Sequence, residues 1–462
     1  MSDRDRRQDP SDTRHESLFS VLGDRTYRHL FLAQVVALIG TGLATVALSL
    51  LAYDLAGKQA SAVLGIALAI KMIAYVFIAP VAGAYATRVP RRALLVGLDL
   101  ARLTVVLALP LVTEIWQIYL LIFVLQSCSA AFTPTFQATI PDVLPAEREY
   151  TKALSLSRLA YDLETLLSPA LAAGLLLFVS YDALFLGTAL GFLGSALLVV
   201  SVALPQALVA RAQTPIGRKL TRGLHIYLAT PRLRGLLALN LAAAAGSAMV
   251  IVNTAVIVRD ELARSDRAVA IALAAFGAGS MTLALMLPRI LQHRSDRSVM
   301  LTAAVMLTIV LGALAAMWPN VSDEVRWPTL LIVWLLLGAC YAALVTPGGR
   351  LLRRSSQTED RPALFAAQFS LSHACWLVAY PLVGWLGSRV GMSEALWTMA
   401  VLSGIGVLSA WSAWPSQDAE VLIHTHEDLP IDHPHLLAHR SSQPREHAHS
   451  FVIDDLHTRW PA

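Results

Sequence analysis

Apolar runs of about 20 residues, separated by short polar loops, fill most of this chain. Each is long enough to cross a ~30 Å hydrocarbon core as a helix. The pattern predicts spans at 30–54, 62–86, 93–112, 116–138, 153–179 and 183–204, then at 235–257, 268–291, 299–318, 328–346, 363–387 and 395–414. A polar arm from Met1 to His29 precedes them, a basic linker (205–234) divides them, and a polar tail (415–462) follows. Six spans, a linker and six more spans suggest two related halves. The expected fold is an all-α membrane protein of 12 transmembrane helices in two pseudo-symmetric six-helix bundles, 30–204 and 235–414.

Composition agrees: 56% of the 462 residues are hydrophobic and 15% charged, against about 25% charged in a soluble chain. The first apolar run is too long for a signal-peptide core and lacks a cleavage pattern, so it reads as a retained helix. Cys128, Cys340 and Cys375 all lie inside apolar runs, which gives no disulfide framework. The basic residues of the loops and linker fall on one side (Arg88, Arg91, Arg92, Arg148, Lys152, Arg211, Arg218, Lys219, Arg222, Arg294, Arg297, Arg350, Arg353, Arg354 and Arg361), except the segment Arg259 to Arg267, which also carries Asp260, Glu261 and Asp266. By the positive-inside rule both termini are expected in the cytoplasm, with the chain in a cell inner membrane. In the linker, apolar positions 216, 220, 224, 227 and 228 repeat at helical spacing among basic residues. That stretch should lie on the membrane surface, attracted to anionic lipid. Arginines that flank spans do not imply a nucleic-acid partner.

No G-x-x-x-x-G-K-[S/T] loop, serine nucleophile elbow or H-E-x-x-H occurs. The chain is not expected to be an enzyme, and no cofactor is expected.

The loop Gly83-Ala84-Tyr85-Ala86-Thr87-Arg88-Val89-Pro90-Arg91-Arg92 resembles the major facilitator signature G-x-x-x-D-R-x-G-R-R. Gly83, Arg88, Arg91 and Arg92 match, while Thr87 replaces the aspartate and Pro90 a glycine. Asp99-Leu100-Ala101-Arg102, Pro141-Asp142-Val143-Leu144-Pro145 and the linker from Leu224 to Arg234 resemble the enterobactin and macrolide exporter branch. That branch often has an acid after the first-span glycine, where this chain has Thr41 after Gly40. Thr346 to Arg354 and Asp360 to Phe369 are similar to nickel-resistance exporters, which also end in histidine-rich tails. The resemblance implies the major facilitator fold, with Gly83, Arg88, Arg91, Arg92, Asp99 and Arg102 as gating residues.

The tail holds His424, His426, His433, His435, His439, His447, His449 and His457. In an extended chain residues two apart face one side, so each H-x-H offers two imidazoles to one Ni²⁺, Zn²⁺ or Cu²⁺. A solvated tail with idle histidines is the alternative. Ionisable residues inside spans are costly and usually face a cavity or a partner. Lys71, Asp162, Glu164 and His373 are therefore transport-cavity candidates, with Asn240 and Gln126 as polar companions. Lys71 is expected to pair with Asp162, for transport or as a static pair between helices. Pro134, Pro169, Pro347 and Pro381 interrupt helical runs as hinge or packing elements.

The function expected is a proton-coupled exporter of a divalent transition metal such as nickel, working by alternating access. A multidrug or siderophore exporter, or a non-transporting metal sensor on the same scaffold, are the alternatives. Expected partners are a small solute or metal ion, a proton and membrane lipid, with the protein a monomer.

Overall fold

A computed structural model describes residues 18–56, 60–85, 89–176, 178–205, 216–264, 266–320, 322–418, 421–425, 430, 435–436 and 446–461. Twelve helices of 18 residues or more carry the described fold. The first six are α1 (Arg25–Ala56), α2 (Ala60–Tyr85), α3 (Arg91–Ala108), α4 (Ile115–Val143), α5 (Glu147–Leu175) and α6 (Tyr181–Val200). A linker helix α7 (Ile216–Ala229) leads to α8 (Pro231–Val256), α9 (Asp266–His293), α10 (Asp296–Met317) and α11 (Asp323–Val345). A short α12 (Gly348–Arg354), then α13 (Arg361–Arg389) and α14 (Met392–Ala413), complete the bundle. Ten of the long helices are apolar and long enough to cross a membrane. The other two, α2 and α5, contain Lys71 and the pair Asp162 and Glu164.

The start of α1 follows capping rather than hydrophobicity. α1 begins five residues before its apolar run because the Asp24 carboxylate accepts the Tyr27 N–H at 2.7 Å. The final stretch of the N-terminal arm is packed too: Val21 is buried, and Lys152 donates to Ser20 at 2.8 Å. α4 runs through Pro134 and Pro141, and α13 through Pro381, so neither helix stops at these prolines. Neighbouring helices can satisfy the carbonyls that such prolines free.

Within the first half α1 packs on α5 and α6, α3 on α4 and α6, and α2 on α4; within the second, α8 packs on α13 and α14, α10 on α14, and α9 on α11. The halves meet where α2 and α4 touch α13 and where α5 touches α9. The tightest helix approach is between α9 and α11. A Cβ on Gly279 would stand 1.9 Å from the Leu335 carbonyl oxygen, and one on Gly338 would stand 1.9 Å from that of Phe276. The two glycines let the backbones touch, as small residues do in membrane bundles.

One buried charge network holds α3, α4 and α6 together. Asp99, with no exposed surface, pairs with Arg102 and accepts the Ser195 hydroxyl at 2.8 Å. The Arg102 guanidinium lies over the Phe132 and Phe192 rings at 4.1 and 4.6 Å. Asp99→Ala would strand a buried cation, costing about 3–5 kcal/mol. The expected result is a clearly lower thermal unfolding midpoint in detergent, with Asp99→Asn intermediate; an unchanged midpoint for both would contradict it.

The linker forms the expected helix, with a different covering. Ile226 and Tyr227 are fully buried, and α7 packs on α13 and α2 while Leu228 stays exposed. Gly223 sits so close to α13 that a Cβ there would meet the Ala363 carbonyl oxygen at 2.1 Å. Protein therefore covers much of the face that the apolar spacing assigned to the membrane surface. The tail holds a strand pair that its polar composition does not announce. β1 (Val421–Thr425) pairs antiparallel with β2 (Glu446–Ser450), Leu422 opposite His449 and His424 opposite His447. Phe451 and Ile453 are buried in the same apolar core as Ile226, Leu233 and Trp414.

Candidate functional site: the seam between the halves and a tail histidine cluster

At the arginine-rich end, a carboxylate from the first half holds a guanidinium from each half. Asp142, at the end of α4, accepts from Arg91 at 2.5 Å and from Arg361 at the start of α13. Arg91 is 2% exposed and Asp142 8%, so these charges are largely out of water. Two further bridges cross the seam. Arg350 donates to Glu147 at 2.5 Å, and Arg353 donates to the Pro145 carbonyl. Within the second half, Arg350 and Arg354 stand 3.4 Å from Asp296. Arg92 donates to the Val200 carbonyl at the end of α6, which neutralises a helix C-terminus. Gly83 lies in α2, and Arg88 falls outside the described residues. Arg91 and Arg92 thus reach α4 and α6 of their own half, and Asp99 and Arg102 bond each other within α3.

Deeper in the seam, cations face aromatic rings. Lys71 Nζ sits 5.5 Å from the Tyr75 ring centre. The Tyr75 ring is 4.8 Å from Phe369 and 4.8 Å from His373. Half-buried His373 approaches the Phe369 carbonyl through Nδ1 at 2.7 Å, which fixes its proton there. Arg158 of α5 donates to Ser280 of α9 at 3.1 Å and lies 4.7 Å from the Tyr341 ring of α11. Trp376 donates to Ser247 at 2.9 Å. The side chain of Asp162 falls outside the described residues, and with it the expected Lys71–Asp162 pair; Glu164 is half-buried in α5. Asn240 of α8 is 4% exposed, and its amide nitrogen has no hydrogen-bond partner among the described residues. Gln126 is half-buried in α4.

The tail brings four of the eight candidate histidines together. Ligand nitrogens of His424, His435, His449 and His457 all lie within 4.8 Å of one another. His424 Nε2 and His457 Nε2 are 3.0 Å apart, and the rings stack edge to face at about 5 Å. Among the described residues, each H-x-H contributes one histidine to the cluster. His426, His433 and His439 lie outside the described residues, as does the side chain of His447. The strand pairing supplies His424 and His449, and Phe451 closes the side of the cluster at 4.9 Å from His424.

Behind the cluster, Asp454 accepts from His457 Nδ1 at 2.8 Å, from the Leu456 and His457 N–H groups, and from Gln357 at 3.1 Å. Burial raises the pKa of its carboxyl, but the hydrogen bonds from His457 outweigh that and hold it at about 2. A lowered carboxyl pKa stabilises the tail fully above the ordinary value and is lost only as the pH falls through about 2. Asp455 accepts from Arg222 of α7 at 2.5 Å, and Arg222 grips Asp360 through two bonds of 3.0 and 3.2 Å. Arg232 stacks under Trp460 at 5.0 Å and pairs with Asp418 at 3.4 Å. The acidic partners Asp142, Asp360, Asp454 and Asp455 are absent from a reading of basic loop residues alone. Asp142 and Asp360 carry a signal in the sequence, a carboxylate at a helix end near an arginine cluster, whereas Asp454 and Asp455 lie in the tail beyond β2.

Twelve long helices in two halves, with polar groups gathered at the seam, define a polytopic helical membrane transporter. The chain belongs to the Major Facilitator Superfamily, whose family profile matches residues 30–256 and 236–440. It is a secondary transporter of small solutes or ions and not an enzyme. It is 23% identical to the uncharacterized MFS-type transporter YvqJ of Bacillus subtilis strain 168, covering 83% of this chain and 92% of that protein. The fold matches the crystal structure of the human organic anion transporter MFSD10 (TETRAN) with a TM-score of 0.70 at 12% identity, covering 84% of this chain and 99% of that one. It also matches a bacterial homologue of the iron transporter ferroportin in an outward-facing state, with a TM-score of 0.67 at 14% identity and coverage of 84% and 98%.

Proposed function

We propose that this transporter is a proton-coupled exporter of a divalent transition metal such as nickel, working by alternating access in a cell inner membrane. The arginine-rich end is cytoplasmic by the positive-inside rule, which puts both termini inside the cell. The Asp142 and Glu147 bridges then seal the cytoplasmic side, and the conformation is outward-facing, the state named for the ferroportin homologue. Gly83, Arg88, Arg91, Arg92 and Asp142 form the cytoplasmic gate, with Asp99 and Arg102 bracing it. Asp162, Glu164 and His373 are the proton carriers. The protein is a monomer in lipid.

The observation that carries the metal reading is the four-imidazole cluster on the cytoplasmic side. Imidazole nitrogen suits Ni²⁺, Zn²⁺ and Cu²⁺. Inverted membrane vesicles containing the protein are expected to take up nickel when their lumen is acidified, and to stop when an uncoupler collapses the gradient. Tight metal binding without flux would mark a sensor on a transporter scaffold instead.

The seam favours a second reading. Lys71 and Arg158 put two cations against aromatic rings there, groups that suit an organic anion or an anionic metal chelate such as a siderophore. A solved relative of the same fold is an organic anion transporter. Vesicles that ignore nickel, cobalt and zinc but accumulate a fluorescent organic anion would select this reading.

A further inference from the structure

We propose that His424, His435, His449 and His457 form a resident site for one divalent transition-metal ion, whose occupancy braces the closed cytoplasmic gate through Asp454, Asp455 and Arg222. This rests on the transporter reading but not on what is transported.

The proton positions point to a metal. Three of the four rings turn Nδ1 toward an oxygen acceptor: His424 toward the Leu422 carbonyl at 3.1 Å, His449 toward the Ser450 carbonyl at 2.8 Å and His457 toward Asp454 at 2.8 Å. An oxygen acceptor at Nδ1 fixes the proton there and leaves the Nε2 lone pair for the metal. The lone pairs of His424 and His457 then face each other across 3.0 Å. Between two neutral rings so protonated that contact repels, and a metal ion or a shared proton between the nitrogens relieves it. Four nitrogens bound at ~2.0–2.1 Å to one ion stand roughly 3.3 Å apart. The present set, within 4.8 Å, brackets that spacing, with the 3.0 Å pair slightly inside it. Asp454 behind His457 is the carboxylate partner that orients a metal-binding imidazole and raises its basicity.

The tail that carries the site packs against the second half, whose core takes in Phe451 and Ile453. The site's outer bonds reach the gate. Asp454 holds Gln357, and Asp455 holds Arg222, which grips Asp360. The next residue, Arg361, makes the cross-half bond to Asp142. Unfilled, this small tail unit has little core of its own, and metal binding supplies folding energy to such units. Filled, it fixes the loop from Gln357 to Arg361 and, with it, the gate arginine. High cytosolic metal therefore favours the outward-facing state.

Two measurements on the full-length chain in detergent test this. Added Co²⁺ should give one equivalent of intense visible absorption of the tetrahedral type. His424→Ala and His457→Ala should abolish it, and Asp454→Asn should weaken affinity about 10–100-fold. Spin labels at Glu149→Cys and Gln292→Cys, in a chain whose three native cysteines are replaced, report the distance across the cytoplasmic end. Zn²⁺ should raise the population with the short distance, and Arg222→Ala should remove that response while leaving the cobalt spectrum intact. A cobalt signal that survives the His424→Ala, His457→Ala double change overturns the site. A distance distribution that ignores Zn²⁺ when the site is filled overturns the brace. Neither result depends on nickel flux, so loss of the export reading would leave both intact.

Discussion

Asp142→Asn is expected to open the cytoplasmic end and to cut transport at least about tenfold. Asp142 is the shared partner of Arg91 and Arg361, and all three are largely buried. Removing one member of such a group strands the others and costs about 3–5 kcal/mol. The two conformations of an alternating-access protein differ by only a few kcal/mol, so a loss of this size decides which one is populated. Part of the cost falls on the first half itself, because Arg91 and Asp142 belong to the same half. Arg361→Gln separates the two effects, since it removes only the cross-half bond. It should slow transport and lengthen the distance across the cytoplasmic end with little change in the unfolding midpoint. Transport by Asp142→Asn at the parental rate in proteoliposomes would mean that the bridge does not gate.

The second large effect is expected at the α9–α11 crossing. Gly338→Ala would drive a methyl into the Phe276 carbonyl oxygen, an approach of 1.9 Å where about 3 Å is the practical minimum, and Gly279→Ala does the same at Leu335. Backbone is the obstacle, so no rotamer change relieves it. Overpacking a core ordinarily costs ~1–3 kcal/mol. A clash of two helix backbones should reach the top of that range or exceed it, with a lower melting midpoint and less protein in the membrane. Gly97→Ala is the control, because a Cβ there meets nothing within 4 Å; in a helix it should be neutral or stabilise by up to ~1 kcal/mol. Equal melting of the Gly97 and Gly338 variants would contradict the close approach.

The bundle was legible because a bilayer imposes one severe condition on sequence. Every residue in the hydrocarbon must be apolar or partnered, and helices satisfy their own backbone. Twelve runs therefore meant twelve helices, and a period of 3.6 in a basic linker meant another. Element ends were less legible. Asp24 extends α1 outward by a local hydrogen bond that hydropathy does not register, and α4 passes through Pro134 and Pro141 because its neighbours compensate. Histidine content offered the tail as a candidate metal ligand set. It did not say that His424, His435, His449 and His457 converge, since strand pairing and docking bring together residues up to 33 positions apart.

By itself, the sequence determined the number of long helices, their apolar character and the clustering of arginine at one end, for these follow from composition and period within single segments. Only the tertiary structure decided that Asp142 joins Arg91 to Arg361, that Gly279 and Gly338 let two backbones touch, and that a tail imidazole is linked through Asp454 to the loop ahead of the gate. Each of those depends on which distant segments pack together, and a pairing free energy of that kind resides in no single stretch of chain.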